Sequence, residues 1–349
     1  MAKFDPNAAA TADSGIFGLP FNEKEAHLVY VPVPWEATTS YGGGTSDGPA
    51  AILEASRQVD LFDFDVLRPY EAGLFMRKER REFRKWNTEA KRLASKIIDV
   101  GGQIDGNKTL KSALAKVNEL SRKVNELVRA ETESVLAAGK IPAIVGGDHS
   151  VPLGAFQAVA KKHGSFGILH FDAHSDTREA FEGFQYSHAS IMHNALEEVR
   201  EISKLVQVGI RDFCEEEVEY CAGQGRRVEI FFDRALADRK FEGTAWGKIA
   251  EQIVAGLPDK VWVSFDIDGL DPVLCPHTGT PVPGGLSFNE AVAVLKALAR
   301  SGRKIVGFDL NEVAPGPEGD EWDANVGARL LYKMTAFTLV SQGKAKLRA

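Results

Sequence analysis

The chain has 349 residues, long for the usual ~100–200 residues of one domain but within the range that a single α/β domain fills. With 44% hydrophobic and 26% charged residues it is neither disordered nor collagen-like, and 42 Lys+Arg against 49 Asp+Glu leave a net charge of −7, which excludes a global basic field for nucleic acid or anionic membrane. No apolar run reaches the ~18–20 residues of a bilayer span, no signal-peptide core is present, and Cys214, Cys221 and Cys275 form no CxxC pair; a cytoplasmic protein without disulfides, acting on small molecules, is expected.

In chain order, residues 1–26 read as a polar N-terminal arm and 27–349 as one domain. HLVYVPV at 27–33 is a β-run. SYGGGTSDGPAAILEAS then reads as a glycine loop entering a helix, with Asp47-Gly48-Pro49 as the helix start. Gly42, Gly43 and Gly44 lack the Gly-Lys-Ser/Thr of a phosphate loop and are read as a place where backbone approaches a ligand closely. RKERREFRKW at 77–86 interleaves Glu79 and Glu82 with its cations, so it reads as a solvated helix face and not a nucleic-acid patch. From 109 to 138, Leu110, Leu114, Val117, Leu120, Val124, Leu127 and Val135 recur with helical periodicity, and Gly139 supplies the stop. The stretch from about 65 to 130 is therefore expected to be a mostly helical insertion, packed on the domain or serving an oligomer contact.

Short apolar runs follow at 141–145, 166–171, 204–208, 228–232, 261–265 and 304–308, separated by helical segments. Strands too apolar to face water on one side, alternating with helices, predict a parallel sheet covered by helices on both faces.

The chemically loaded residues fall where those runs end, which is where open parallel sheets place their ligands. Gly146-Gly147-Asp148-His149 follows the first, Asp172-Ala173-His174-Ser175-Asp176 the second, and Asp266-Ile267-Asp268 the run at 261–265. Spacing of i, i+2, i+4 would point Asp172, His174 and Asp176 to one side of an extended backbone, and Asp266 and Asp268 would do the same. Any one of these pieces alone reads as a turn or a cap. Four carboxylates converging at one sheet edge would repel one another and raise their own pKa values unless cations sat among them. Two divalent ions would balance Asp172, Asp176, Asp266 and Asp268, with His149 and His174 as neutral ligands, and oxygen-rich ligation without thiolate favours Mn²⁺ over structural zinc. Such a pair would acidify a shared water.

These residues resemble the signatures of the ureohydrolase family, the agmatinases and arginases: Gly-Gly-Asp-His-Ser, Phe-Asp-Ala-His-Ser-Asp, Ser-Phe-Asp-Ile-Asp-Gly-Leu-Asp-Pro, then Thr278-Gly-Thr-Pro and Asp309-Leu-Asn-Glu312. The resemblance implies a three-layer α/β sandwich of the arginase and deacetylase type. It implies that His149, Asp172, His174, Asp176, Asp266 and Asp268 hold two manganese ions, that Glu312 pairs with a guanidinium, and that His188 shuttles protons. It also implies assembly as a homo-trimer or hexamer. The expected reaction is hydrolysis of a guanidino compound to urea, agmatine first, with arginase or a guanidino-acid hydrolase such as guanidinobutyrase as alternatives. A deacetylase would leave Glu312 without a purpose, and an inactive regulatory relative would be expected to lack some of the six ligands. Arg178, two residues beyond Asp176, is expected at the mouth, where it would attract a carboxylate tail unless it folds back onto an acid of its own loop. His170 is expected to be a satisfied core residue, and Asp148 and Asp271 to be turn or supporting residues. His277 and Cys275, on the loop after Asp266 and Asp268, are expected to be structural, with contact to the substrate as the alternative, and Trp322 has no assigned role.

Overall fold

The computed structural model describes residues 4–348. The chain runs β1 (Leu28–Val33), α1 (Gly48–Ser56), β2 (Val66–Leu67), β3 (Leu74–Met76), α2 (Arg81–Ile98), α3 (Lys108–Ala137), β4 (Ile141–Gly146), α4 (Leu153–His163), β5 (Phe166–Phe171) and α5 (Ile191–Glu198). It continues through β6 (Ile202–Ile210), α6 (Glu215–Gly223), β7 (Val228–Phe232), α7 (Asp233–Phe241), α8 (Trp246–Ala255), β8 (Lys260–Asp266), α9 (Phe288–Arg300), β9 (Lys304–Asn311), α10 (Trp322–Ser341) and β10 (Lys346–Leu347).

Eight strands form one sheet in the order β3-β1-β4-β9-β8-β5-β6-β7, and every pairing in it is parallel. β2 and β10 form a separate antiparallel pair. Successive side chains of a strand face opposite ways, so each strand feeds two cores. Leu28, Tyr30, Leu169, Phe171, Val263 and Phe265 pack with residues of α1, α8, α9 and α10; Val29, Val31, Ile144, Ile168 and Trp262 pack with residues of α2, α3, α4 and α5. The result is the expected three-layer α/β sandwich. Among the described residues, no helix is long and apolar enough to cross a membrane.

The helix over 109–138 is present as α3 and ends before Gly139, whose φ of +71° suits a glycine. The 65–130 stretch is less uniformly helical than its periodicity predicts: β3 adds an edge strand to the main sheet and β2 pairs with the C-terminal β10. Both are two or three residues long, too short to leave a period in the sequence. Of the 77–86 segment, only Arg81 onward is helical. Arg77 pairs with Glu23 and Glu131, Arg84 with Glu79, and Phe83 is fully buried.

Parallel strands point their C-terminal ends to the same edge. At that edge the four central strands β4, β9, β8 and β5 are immediate neighbours, and the acid and histidine motifs follow them.

Candidate functional site

His149 sits three residues beyond β4 and Asp172 one beyond β5; Asp266 closes β8 and Glu312 follows β9. Gly147 allows the first of these turns, because a Cβ there would lie 1.9 Å from the Trp35 carbonyl oxygen. His149, His170, Asp172 and Asp176 place one ligand atom each within 4.8 Å of the others, as do Asp172, His174 and Asp268, so Asp172 belongs to both groups. Asp266 joins them through its Oδ2, 3.2 Å from His149 Nδ1. Asp176 Oδ2 lies 3.5 Å from the same nitrogen, and His174 Nδ1 is 3.0 Å from Asp268 Oδ2. The six residues expected to ligate are thus brought together.

They are not brought together by an extended backbone. The chain leaves regular strand geometry at Asp172, Asp176 takes a left-handed φ of +56°, and Asp268 lies in a 3-10 turn whose N–H donates to Asp266 Oδ1 at 2.9 Å. A kinked backbone gathers ligands from several strands around one point, which alternation along a single strand cannot do.

The electrostatics of the cluster nearly all call for added positive charge. Burial, then repulsion from Asp172, pushes the Asp176 carboxyl well up. Burial and the charges of Asp268 and Asp172 do the same to Asp266. Burial opposes protonation of the two imidazoles, yet Asp172 and Asp266 outweigh it at His149, and Asp268 and Asp172 lift His174 to about 12. Asp172 runs the other way, held low despite burial by the imidazoles around it. A cluster that draws in protons in the absence of other cations, and offers carboxylate and imidazole donors, fits divalent ions.

Glu312 stands apart from the ligand groups. Its Oε1 accepts the His149 backbone N–H at 2.9 Å, while Oε2 is buried and has no partner. A Cβ at Gly279 would come within 3.4 Å of Oε2, so the glycine keeps the space before that oxygen open. His188 lines a cavity of about 170 Å³ with Ser40, His174, Asp176, Arg178, Asp212, Glu217 and Thr280 among its neighbours. Burial, with the nearby His174 charge, lowers its pKa to about 4.

Arg178 lines the same cavity, but the left-handed turn at Asp176 removes the extended geometry that was to place it there. Its Nε lies 3.6 Å from Glu217 Oε2 and its guanidinium 5.3 Å from the centroid of Phe181. The offsetting acid therefore comes from α6 and not from the arginine's own loop.

His170 is buried with both ring nitrogens engaged, Nε2 to Asp172 Oδ2 at 2.8 Å and Nδ1 to the Gln207 amide at 3.0 Å. Asp148 caps Ser150 and Asp271 a turn at Val273. His277 is tied to Asp323 at 2.9 Å, Cys275 is buried, and Trp322 donates to the Val273 carbonyl. Sequence reasoning missed the support behind His149: its Nε2 lies 2.9 Å from Ser264 Oγ, which donates to Asp309 Oδ1 at 2.8 Å, and Asp309 also accepts from Trp262 and Asn311. The available signal was a polar residue inside an otherwise apolar run, as Ser264 is in VWVSF and Gln207 in KLVQV.

The Arginase family model matches residues 26–336. An N(1)-aminopropylagmatine ureohydrolase of Thermus thermophilus is 32% identical over 320 residues, covering 90% of this chain and 92% of that protein. An agmatinase of Cronobacter sakazakii is 29% identical over 343 residues, 97% of each chain. Among solved structures, the agmatine ureohydrolase of Thermoplasma volcanium superposes with a TM-score of 0.71 at 22% identity, covering 96% of this chain and 97% of that one, which is a likeness of fold.

Proposed function

The chain belongs to the arginase family, and from that premise we propose that it is a manganese ureohydrolase that hydrolyses a guanidino C–N bond to release urea, with agmatine as first-choice substrate. The observation that carries the reading is the buried, unpartnered Oε2 of Glu312 beside the acid and histidine cluster. A buried carboxylate oxygen with no donor is costly, and a guanidinium N–H satisfies it through a charge-assisted hydrogen bond.

His149, Asp172, His174, Asp176, Asp266 and Asp268 would hold two Mn²⁺ ions, which when bound supply the charge that lowers the pKa of a water at the site. Glu312 fixes the plane of the guanidinium and presents its carbon to the cluster. With one oxygen anchored by the His149 N–H, the carboxylate loses little freedom when it binds. His188, neutral in its buried position, accepts at a ring nitrogen the proton given up by the attacking water and passes it to the departing amine as the C–N bond breaks. Arg178 meets the substrate tail at the cavity mouth. Because Glu217 offsets its charge and Asp212 also lines the cavity, the mouth suits a cationic tail better than a carboxylate. That favours agmatine over guanidinobutyrate or another guanidino acid.

Assembly as a homo-trimer or hexamer, and a cytoplasmic setting for the free thiols of Cys214, Cys221 and Cys275, belong to the same reading. The deciding experiment assays urea release by the Mn²⁺-loaded protein on agmatine, arginine, guanidinobutyrate and guanidine. The expected outcome is the highest kcat/KM on agmatine. Preference for arginine or guanidinobutyrate overturns the substrate, and no urea from any of the four returns the protein to the inactive, regulatory class.

A further inference from the structure

Helix α2 supplies nothing to the cluster, yet it reaches the cavity mouth through one buried carboxylate. Glu36, three residues beyond β1, is 4% exposed. Its backbone N–H donates to Asn87 Oδ1 at 2.8 Å, and its Oε1 pairs with Lys91 Nζ, both residues of α2. Its Oε2 accepts from the backbone N–H of Gly44 at 2.7 Å, from that of Ser46 at 3.2 Å and from Thr45 Oγ1 at 3.2 Å. One oxygen thus faces the helix and the other the glycine loop. Burial alone would raise this carboxyl's pKa, but Lys91 and the two N–H groups outweigh it and keep it below the ordinary range. Arg84 of α2 adds a second tie to the end of the loop, 2.6 Å from Asp47.

The far side of the loop rests on the site. Gly42 donates its N–H to the Gly279 carbonyl at 3.0 Å, and a Cβ on Gly42 would stand 2.6 Å from that oxygen, so only glycine allows this approach. Gly279 is the residue whose missing side chain leaves room before the buried Glu312 Oε2. Its neighbour Thr280, whose Oγ1 reaches Asp268 Oδ2 at 3.3 Å, lines the cavity together with Ser40. Ser40, Tyr41 and Gly42 lie outside helix and strand, and Tyr41 is 83% exposed. This stretch is held by the Gly279 contact in its middle and, at its two ends, by buried Thr38 and by the Glu36 anchor at Gly44 to Ser46.

We propose that Asn87 and Lys91 of α2 are positioning residues which, through Glu36, hold the 38–46 loop against Gly279 and so set the shape of the substrate mouth. This rests on reading the cavity as the substrate site. Without Lys91 the buried carboxylate loses its cation, and an unpaired buried charge is the unstable alternative. The loop then loosens where the tail enters, while the cluster, supported from β4, β5, β8 and β9, is left intact. Binding should suffer and chemistry should not.

The test uses the full Mn²⁺-loaded enzyme and compares Lys91→Met, Lys91→Arg and Asn87→Ala with the parent. In Lys91→Met, the KM for agmatine should rise roughly tenfold with kcat held within about twofold, the pattern of lost binding and not of lost transition-state contact. Manganese content should be unchanged, amide hydrogen exchange over 38–46 should accelerate roughly tenfold, and Lys91→Arg should restore both. Asn87→Ala, which removes an acceptor without unpairing the carboxylate, makes the same comparison if Lys91→Met does not fold. Unchanged exchange over 38–46, or a fall in kcat at constant KM, overturns the proposal. Because exchange is read without substrate, it decides the anchor even if agmatine is not hydrolysed, and that failure would fall on the functional reading alone.

Discussion

Two carboxylate residues of the site, Asp176 and Glu312, hold left-handed backbone with φ of +56° and +61°. For a residue with a Cβ this costs on the order of 1–2 kcal/mol, and it persists where the surroundings over-determine it. The Met192 and His193 N–H groups bind the Asp176 carbonyl, and the Glu312 N–H binds Gly147 O at 2.7 Å. The strain turns Asp176 into the cluster and Glu312 to its side, directions in which a relaxed strand would not send them. His188 makes a sharper test because nothing assigns it to an ion: His188→Asn should retain metal by elemental analysis while turnover falls by ~10²–10⁴-fold, the range for a general acid–base group. Metal lost together with activity would make it a ligand instead. The residues of the cluster could be read from sequence because each motif concentrates Asp and His within five residues. A polar residue inside an apolar run marks Ser264 and Gln207, but not what they bind: Ser264 meets His149 and Gln207 meets Ser175 across more than 30 residues of chain, with no spacing to announce the pairing, and the same holds for Asp309 with Ser264 and Glu36 with Lys91.

The elements follow the same division. The strands β1, β4, β5, β6, β8 and β9 are visible as apolar runs because parallel strands buried on both faces cannot afford polar alternation, and β7, half-buried at the sheet edge, shows through Val228, Ile230, Phe231 and Phe232. β2, β3 and β10 are too short to register. The connection around β2 depends instead on ion pairs: Asp65 lies 2.7 Å from Lys296 of α9 and 3.3 Å from Lys333 of α10. Burial would raise the Asp65 pKa, but these lysines outweigh it and lower it. A carboxylate lowered in the folded state stabilises the fold above its unfolded value of ~3.9, and that contribution fades as pH falls through the folded value. Denaturant unfolding should therefore show Asp65→Asn less stable than the parent at pH 7, with the gap closing as the pH drops below about 4. A gap independent of pH would assign the loss to packing.

For the whole molecule, the order β3-β1-β4-β9-β8-β5-β6-β7 is the part that sequence patterning does not contain, because pairing partners up to about half the chain apart are chosen by tertiary packing. The resemblance of the motifs to a known family conveyed the sandwich where periodicity alone conveyed only a covered parallel sheet. The crowding of buried acids makes a global prediction: ions that bind only the folded state raise its stability by ~2.7 kcal/mol at a hundred times their Kd. Mn²⁺ should thus raise Tm by several degrees near pH 7.5, and the gain should shrink in acid as the ligands take up protons. A Tm indifferent to Mn²⁺ at pH 7.5 would remove the metal centre from the account.

The four central strands that meet at the site are β4, β9, β8 and β5, and their contributions are spread from His149 to Glu312 along the chain. During synthesis, the ribosome has released fewer than half of the residues when His149 emerges, and the carboxylate at 312 arrives close to the end. No early folding unit can hold the assembled centre, since β8 and β9 must insert between β4 and β5, strands made long before them. Closure of the cluster is therefore a late checkpoint of biogenesis, and a chain truncated before β9, the strand that joins β4 to β8, should fail to bind Mn²⁺ however well its first half is made.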